Sequence, residues 1–271
     1  MNLKSKVELG TVPQTLLIPL WARAMESRKP DSLIWDSAAL ELIEKLDYDF
    51  SLIEKASAPI HLKVFVSRAK AFDDAIRAFI EKHPQAVIVS LGAGLDTTFS
   101  RVDNGTVHWY DLDLPEVIEL RRRLIPESDR QRCIAKSFFD LSWLDDLKEG
   151  PKLFFAGGVF PYFDEDELKK FFVELSRRSP GSEIVFDASS RIGNYLMNRT
   201  IKKAKMDARA KLQVKSPEMF ERWSSDIKVI GYQGLFESAG KNISWGLSTY
   251  LITVFTDVFH TSNIYHLKFG S

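Results

Sequence analysis

The chain has 271 residues, 45% of them hydrophobic and 27% charged, with 37 Lys and Arg against 37 Asp and Glu. This apolar content offsets chain entropy and excludes disorder as the main state, and the length suits one large α/β domain or one domain with an extension. Zero net charge excludes a general nucleic-acid coat and a polybasic membrane attachment, which leaves a small or moderately sized partner.

From the amino terminus, residues 1–10 are polar and carry no apolar signal core. The longest apolar stretches, residues 86–91 and 152–163, are too short or too broken to cross a bilayer, so the chain reads as soluble and cytoplasmic. Helical periodicity predicts a helix over 13–28 with Leu16, Leu17, Leu20 and Ala24 on one face, and another over 36–46. Over 59–82, Phe72, Ala75, Ile76, Phe79 and Ile80 form one apolar stripe, and Pro84 stops it. The character changes near residue 85, which divides a helical cap over 1–84 from an α/β core over 85–271.

After that point strands and helices alternate. Residues 86–91 are an apolar, β-branched run ending at Gly92, as in a fully buried parallel strand. Strands are predicted over 107–111, 132–135, 152–156, 183–187, 227–232 and 264–269. Helices are predicted after Pro115, after Asp164 with Glu167 completing a capping box, over 191–213 and over 248–258. The lone Cys133 forms no internal disulfide and reads as a small buried hydrophobe; no Cys and His spacing suits a metal. The fold class is therefore α/β, with a mostly parallel sheet covered by helices on both faces. Such sheets bind ligands beyond the carboxyl ends of their strands.

The sharpest motif sits there. VIVSLGAGLDT over residues 87–97 runs a buried strand into Gly92, Ala93 and Gly94, where the backbone can turn tightly and approach a ligand. A dinucleotide fingerprint would place a third glycine at 97, but Thr97 stands there with Asp96 beside it. An acid repels phosphate and suits a cationic ligand, which points from NAD toward S-adenosylmethionine. Asp111 and Asp113, with Leu114 following, end the next strand, where an acid accepts hydrogen bonds from ribose hydroxyls; Asp113 as a helix cap is the alternative.

LGAGLDT over 91–97, followed by WYDLDLPEV over 109–117, resembles the leucine carboxyl methyltransferase family. Within it the likeness is to the bacterial and archaeal branch that resembles the tetracenomycin polyketide O-methyltransferase. LWARAMES over 20–27 and DSAA over 36–39 resemble the family's amino-terminal helices. The resemblance implies a Rossmann-like class I S-adenosylmethionine-dependent methyltransferase. Such a protein has seven strands, the last antiparallel, and an amino-terminal helical cap. It also implies that Arg68, in SRAKAFD over 67–73, holds the methionine carboxylate, with Arg23 as a weaker candidate that would border the substrate pocket. Two departures stand out. Ser137, in SFFD over 137–140, replaces an acid near the adenine amino group, so Ser137 and Phe138 would serve there, with Phe138 against the adenine ring; Asp140 could instead cap the next turn. Gly157, in AGGVFPY over 156–162, replaces a glutamate that pairs with the cofactor's ammonium group, which leaves Asp96 and backbone carbonyls near Gly92 and Gly157 for that work.

Methyl transfer from a sulfonium needs alignment first and a base only for a poorly ionised acceptor. No histidine is placed for that role, and Tyr162 is the candidate to orient an acceptor or line its pocket, with Tyr195 and Met197 as further pocket residues. The expectation is O-methylation of a hydroxyl or carboxyl on a small, polyketide-like or aromatic molecule, with S-adenosylhomocysteine as the other product. Three alternatives are a protein carboxyl methyltransferase, a nicotinamide-dependent oxidoreductase, and a non-catalytic cofactor-binding regulatory protein.

Overall fold

In the computed structural model, which describes residues 16–56, 59–203, 208–240 and 245–270, the apolar run after residue 85 is a strand buried along its whole length, β1 (Val87–Leu91). Its alternation serves two layers: Val87, Val89 and Leu91 face one core, while Ile88 faces the other. Around it lie β2 (His108–Asp113), β3 (Gln131–Ala135), β4 (Lys152–Ala156) and β5 (Glu183–Ser189), all parallel. The sheet is completed by β6 (Ile227–Gly234) and β7 (Ser262–Phe269), in the order β3-β2-β1-β4-β5-β7-β6. β7 runs antiparallel to both β5 and β6. The order reverses between β1 and β4, which is where a crevice opens at the strands' carboxyl ends.

Ten helices are described: α1 (Leu17–Ser27), α2 (Ser37–Lys45), α3 (Ser51–Ala56), α4 (Pro59–Lys82), α5 (Thr98–Val102), α6 (Pro115–Leu124), α7 (Glu165–Arg178), α8 (Arg191–Lys203), α9 (Glu218–Glu221) and α10 (Leu247–Val258). On one face, α7 packs Leu168, Phe171, Phe172 and Leu175 into an aromatic core with Phe160, Phe186 and Phe220. The capping box expected at its start is present, with the Asp164 N–H donating to Glu167 Oε2 at 3.1 Å. On the other face, the second half of α4 buries Phe72, Ile76, Phe79 and Ile80 against Ile88, Trp109 and Phe155. The first half of α4 packs Val66 and Ala69 against Ala22 of α1 and Ile34. Arg68 therefore sits where the long helix passes from cap to sheet.

Residues 13–15 of the expected first helix lie outside the described residues, as do residues 1–10. The helix expected over 191–213 ends at Lys203 as α8; residues 204–207 lie outside the described residues, and 208–213 are irregular. There the chain folds back: Asn198 Nδ2 donates to the Ala210 carbonyl at 2.9 Å, and Val214 N to the Ser189 carbonyl at 3.0 Å. The apolar spacing of 191–213 is met by that return strap instead of a longer helix. Cys133 is half-buried, and burial pushes its thiol up to about 11. Among the described residues, no helix is long and apolar enough to cross a membrane.

The cap is joined to the sheet by packing and by charge. Leu17, Leu20 and Ala24 of α1 cluster with Ala39, Leu42 and Ile43 of α2, and with Leu95, Leu120 and Leu124 of the core. Beneath them Asp36, fully buried, accepts Arg23 Nε at 2.9 Å, Arg101 Nη1 at 2.6 Å, Thr97 Oγ1 at 2.6 Å and the Ala39 N–H at 2.9 Å. Arg101 also grips Asp73 of α4 with two bonds of 2.8 Å. Removing one partner from such a network leaves uncompensated buried charge. Asp36→Ala is therefore expected to cost about 3–5 kcal/mol of stability, read as a lower urea midpoint at constant slope. A loss below about 1 kcal/mol would show that packing alone holds the cap.

A candidate cofactor cleft at the carboxyl ends of β1 and β4

The turn after β1 is built as its glycines allow. Gly92 and Gly94 have φ of +68° and +46°, the left-handed region that favours glycine. The N–H groups of Gly92 and Ala93 both donate to the Leu112 carbonyl, at 2.8 and 3.1 Å, which folds the turn over the end of β2. Asp113 then clamps it. Its Oδ2 accepts the Gly94 N–H at 2.7 Å and its Oδ1 accepts the Leu114 N–H at 2.7 Å. Leu114 itself occupies the N-cap of α6, so Asp113 is a brace for the glycine turn and not the helix cap. Burial pushes its carboxyl up despite those two backbone bonds. Each oxygen keeps a second lone-pair direction for another donor.

A cleft opens between this turn, α1 and α4. It is lined by Arg23, Arg68, Gly92, Ala93, Gly94 and Asp96, and by Gly157 from the end of β4, with Phe65, Phe72 and Phe155 as its aromatic wall. A larger hollow between α1 and α2, walled by Trp21, Ile43, Leu46 and Phe50, lies among the amino-terminal helices, away from the strand ends.

Within the cleft the charges are already organised. Asp96 Oδ1 accepts the Thr98 N–H at 2.8 Å. Burial opposes its charge, yet Arg23 and Arg101 hold its carboxyl below the usual aspartate range. Arg23, only 4% exposed, borders the cleft, but its guanidinium is committed to Asp36 and to the Leu95 carbonyl, at 3.2 Å. It is an internal tie and not a free anchor for a substrate. Arg68 is different. It makes one bond, from Nη1 to Asp187 Oδ2 at 3.1 Å, and lies along the Gly157–Gly158 backbone. A Cβ at Gly158 would come within 2.5 Å of Arg68 Nη1, and one at Gly157 within 2.9 Å of Phe72 Cε2. The two glycines are thus a cradle for that side chain, and a glutamate at 157 would collide with Phe72.

Three expectations need correction. Asp111 is 1% exposed, and its carboxylate takes Arg121 Nη2 at 2.7 Å, Gln131 Nε2 at 2.8 Å and Trp109 Nε1 at 2.9 Å, so nothing is left for a ribose. Arg121 donates onward to the Gly94 and Asp96 carbonyls, at 3.0 and 2.8 Å, which makes this buried pair a foundation for the turn. Phe138 is 8% exposed and surrounded by Phe160, Phe163 and Phe171; its neighbour Phe139, tilted against it with ring centres 4.2 Å apart, is the ring that reaches solvent. Tyr195 and Met197 sit on α8, Tyr195 exposed and Met197 half-buried, and neither borders the cleft. Ser137 is half-buried, with Oγ accepting the Phe139 N–H at 3.3 Å, and Asp140 caps the next turn through the Ser142 N–H at 3.1 Å.

Tyr162 is 37% exposed, and both Arg68 and Asp187 act on its phenol electrostatically. Burial, above all, pushes that phenol up, with Asp187 adding to it and Arg68 opposing, so it stays protonated at neutral pH. Asp187, at the end of β5, is the site residue that sequence reasoning missed. It reads there as one more position in an apolar strand, 119 residues from its partner Arg68.

The donor set tests well against a zwitterionic nucleoside. The Asp113 carboxylate braces the turn, the Arg68 guanidinium lies along the Gly157–Gly158 cradle, and the turn carries Asp96 beside Thr97, the position where a dinucleotide fold places its third glycine. Thr97, at that third-glycine position, gives its hydroxyl to Asp36 and so closes the place a pyrophosphate would need.

Comparison with known proteins agrees. The family model described as leucine carboxyl methyltransferase matches residues 17–175. The tetracenomycin polyketide synthesis O-methyltransferase TcmP of Streptomyces glaucescens is 39% identical over 184 residues, 67% of each chain. The S-adenosyl-L-methionine-dependent methyltransferase dpfgK of Gibberella zeae is 28% identical over 220 residues, 74% of each chain. Among solved structures, a duf574 family protein from Streptomyces avermitilis superposes with a TM-score of 0.57 at 12% identity, covering 92% of this chain and 96% of that one. The mitomycin 7-O-methyltransferase MmcR gives 0.51 at 13% identity, covering 93% and 72%. Both structural likenesses concern the fold.

The cradle makes a direct prediction. Gly158→Ala places a methyl against the Arg68 guanidinium at a φ of +73° and is expected to weaken S-adenosylhomocysteine binding about tenfold. Gly105→Ala, at a φ of +85° with nothing within 4 Å of the added carbon, is the control for backbone strain alone and should leave affinity unchanged. Calorimetric titration of both variants decides it, and equal affinities would remove the cradle's role.

Proposed function

We propose, from the premise that this chain belongs to the leucine carboxyl methyltransferase family, that it methylates an oxygen of a small apolar or aromatic acceptor. It is a methyltransferase that uses S-adenosyl-L-methionine and releases S-adenosyl-L-homocysteine. When bound, S-adenosylmethionine supplies a methyl group already activated on a sulfonium sulfur.

The protein's own part is alignment and exclusion of water. Arg68 lines the cleft and bonds Asp187 through Nη1, and its remaining donors would take the methionine carboxylate, a pairing that a guanidinium fork favours. Asp113, braced by Gly94 and Leu114, would accept the ribose hydroxyls with its remaining lone pairs. The glycines at 92, 94 and 157 carry no Cβ and would let the nucleoside approach the main chain, with Ala93 between the first two adding only a methyl. Asp96 contributes negative potential beside the turn, moderated by Arg23 and Arg101. Half-buried Ser137 and exposed Leu114 and Phe139, which follow the ends of β2 and β3, would border the adenine.

The observation that carries the acceptor assignment is the aromatic wall of Phe65, Phe72 and Phe155 facing the same cleft as Arg68, with Leu16 and Pro19 closing the α1 side. An apolar wall suits a flat or apolar molecule. The polyketide O-methyltransferase that is 39% identical supports the same class. No histidine lines the cleft, and Tyr162 is held protonated, so it would orient an acceptor oxygen by donating a hydrogen bond and not by removing a proton. A carboxylate, or a phenol ionised in part, needs no more than that.

S-adenosylhomocysteine titrated into the wild type should bind. Arg68→Ala and Asp113→Asn should each weaken it by about tenfold or more, while melting curves stay cooperative. Radiolabelled methyl transfer to a panel of phenolic and carboxylic small molecules should find an acceptor. Unchanged affinity in both variants would refute the site, and transfer only to a protein carboxyl terminus would refute the acceptor class.

A further inference from the structure

The family's expected acid at position 157 is absent, yet a carboxylate stands beside the cradle. It comes from β5, not from the β4 loop. Asp187 is 6% exposed; its Oδ1 accepts the Gly158 N–H at 2.5 Å and its Oδ2 accepts Arg68 Nη1 at 3.1 Å. One carboxylate thus joins the loop after β4 to the side chain that crosses it from α4. The Arg68 side chain is 13% exposed, and Phe65 lies against its guanidinium at 5.3 Å.

The geometry around Arg68 is asymmetric. Nη1 bonds Asp187 and lies closest to Gly158, while Nε is the Arg68 atom nearest to a Cβ at Gly157, at 3.8 Å, and Gly157, unlike Gly158, lines the cleft. A guanidinium has five N–H donors in a rigid plane, and Asp187 uses only the Nη1 corner. The rest stays available to a second carboxylate. An arginine side chain left free would sample many rotamers, and the ordering cost would then fall on ligand binding. With one corner tied, that cost is met in folding.

We infer that Asp187 is a positioning residue: it holds Arg68 across Gly157 and Gly158 so that the guanidinium's other edge meets the cofactor's carboxylate. This rests on the reading of Arg68 as the carboxylate anchor. The opposite role is a rival: Asp187 could compete with the ligand's carboxylate for the same cation. Asp187 occupies one corner and, among the described residues, Nε beside cleft-lining Gly157 has no partner, which favours positioning.

The test uses full-length protein and two ligands, S-adenosylhomocysteine and its analogue lacking the carboxylate. In the wild type the analogue should bind about tenfold or more weakly. Asp187→Asn keeps the shape and an acceptor for the Gly158 N–H. It should weaken S-adenosylhomocysteine about tenfold and leave the analogue unchanged, so the ratio collapses. A merely structural role would weaken both ligands alike, and competition would tighten S-adenosylhomocysteine; either outcome overturns the inference. Equal binding of the two ligands to the wild type would instead overturn the anchor role of Arg68. Should Asp187→Asn fail to fold, nuclear magnetic resonance of the ligand-free wild type still decides. A slowly exchanging Arg68 Nη–H signal, resolved from the other guanidinium protons and assigned by its loss in Arg68→Lys, is expected, and a single rapidly averaged Nη signal overturns the inference.

Discussion

The Asp36 carboxylate is the point on which the molecule's arrangement turns. It lies in the segment between α1 and α2, yet four donors from four places converge on it: Arg23, Thr97, Arg101 and the start of its own helix. A buried carboxylate without such donors would be strongly unfavourable. The network therefore has one good solution, with the cap seated on the glycine turn. Because Arg101 also grips Asp73, that solution sets the angle of α4, and so the place of Arg68.

A second buried pair supports the turn from below. Asp111 and Arg121, both 1% exposed, connect β2 to α6, and Arg121 reaches the carbonyls of Gly94 and Asp96. The glycine turn is thus held from above by the Asp36 network, from the side by Asp113 and from beneath by Arg121. Catalysis by a protein whose reagent arrives already activated depends on holding groups still. Paired charges do this at low net field, and the chain's zero net charge fits a site that receives a ligand bearing both signs.

The exposed residues describe the other half of the problem. α8 presents Ile192, Tyr195 and Leu196 to solvent, and α10 presents Leu247, Leu251, Phe255 and Val258. These helices follow β5 and β6, at the edge of the sheet away from the glycine turn. Around the glycine turn lie buried ion pairs, whereas α8 and α10 show apolar side chains to solvent, interleaved on α8 with exposed Arg191, Arg199 and Lys202.

The sequence alone determined the strands and most helices, because burial on two faces and helical periodicity are local patterns that survive in any context. Gly92 and Gly94 were legible for the same reason, whereas the bracing of their turn by Asp113, 19 residues on, was not read from the sequence. Where the expectations failed, the deciding contact joined different elements of the fold. Asp111 and Asp113 lie two residues apart and share one face of β2, and what separates them is depth: Asp111 is buried within the strand against Arg121, while Asp113, the strand's last residue, meets the Gly94 N–H. Arg23 and Arg68 look alike on their helices, and only Asp36 and Asp187 distinguish the tied cation from the available one. A charge's role depends on its partner, and partners 13 and 119 residues away are chosen by tertiary packing.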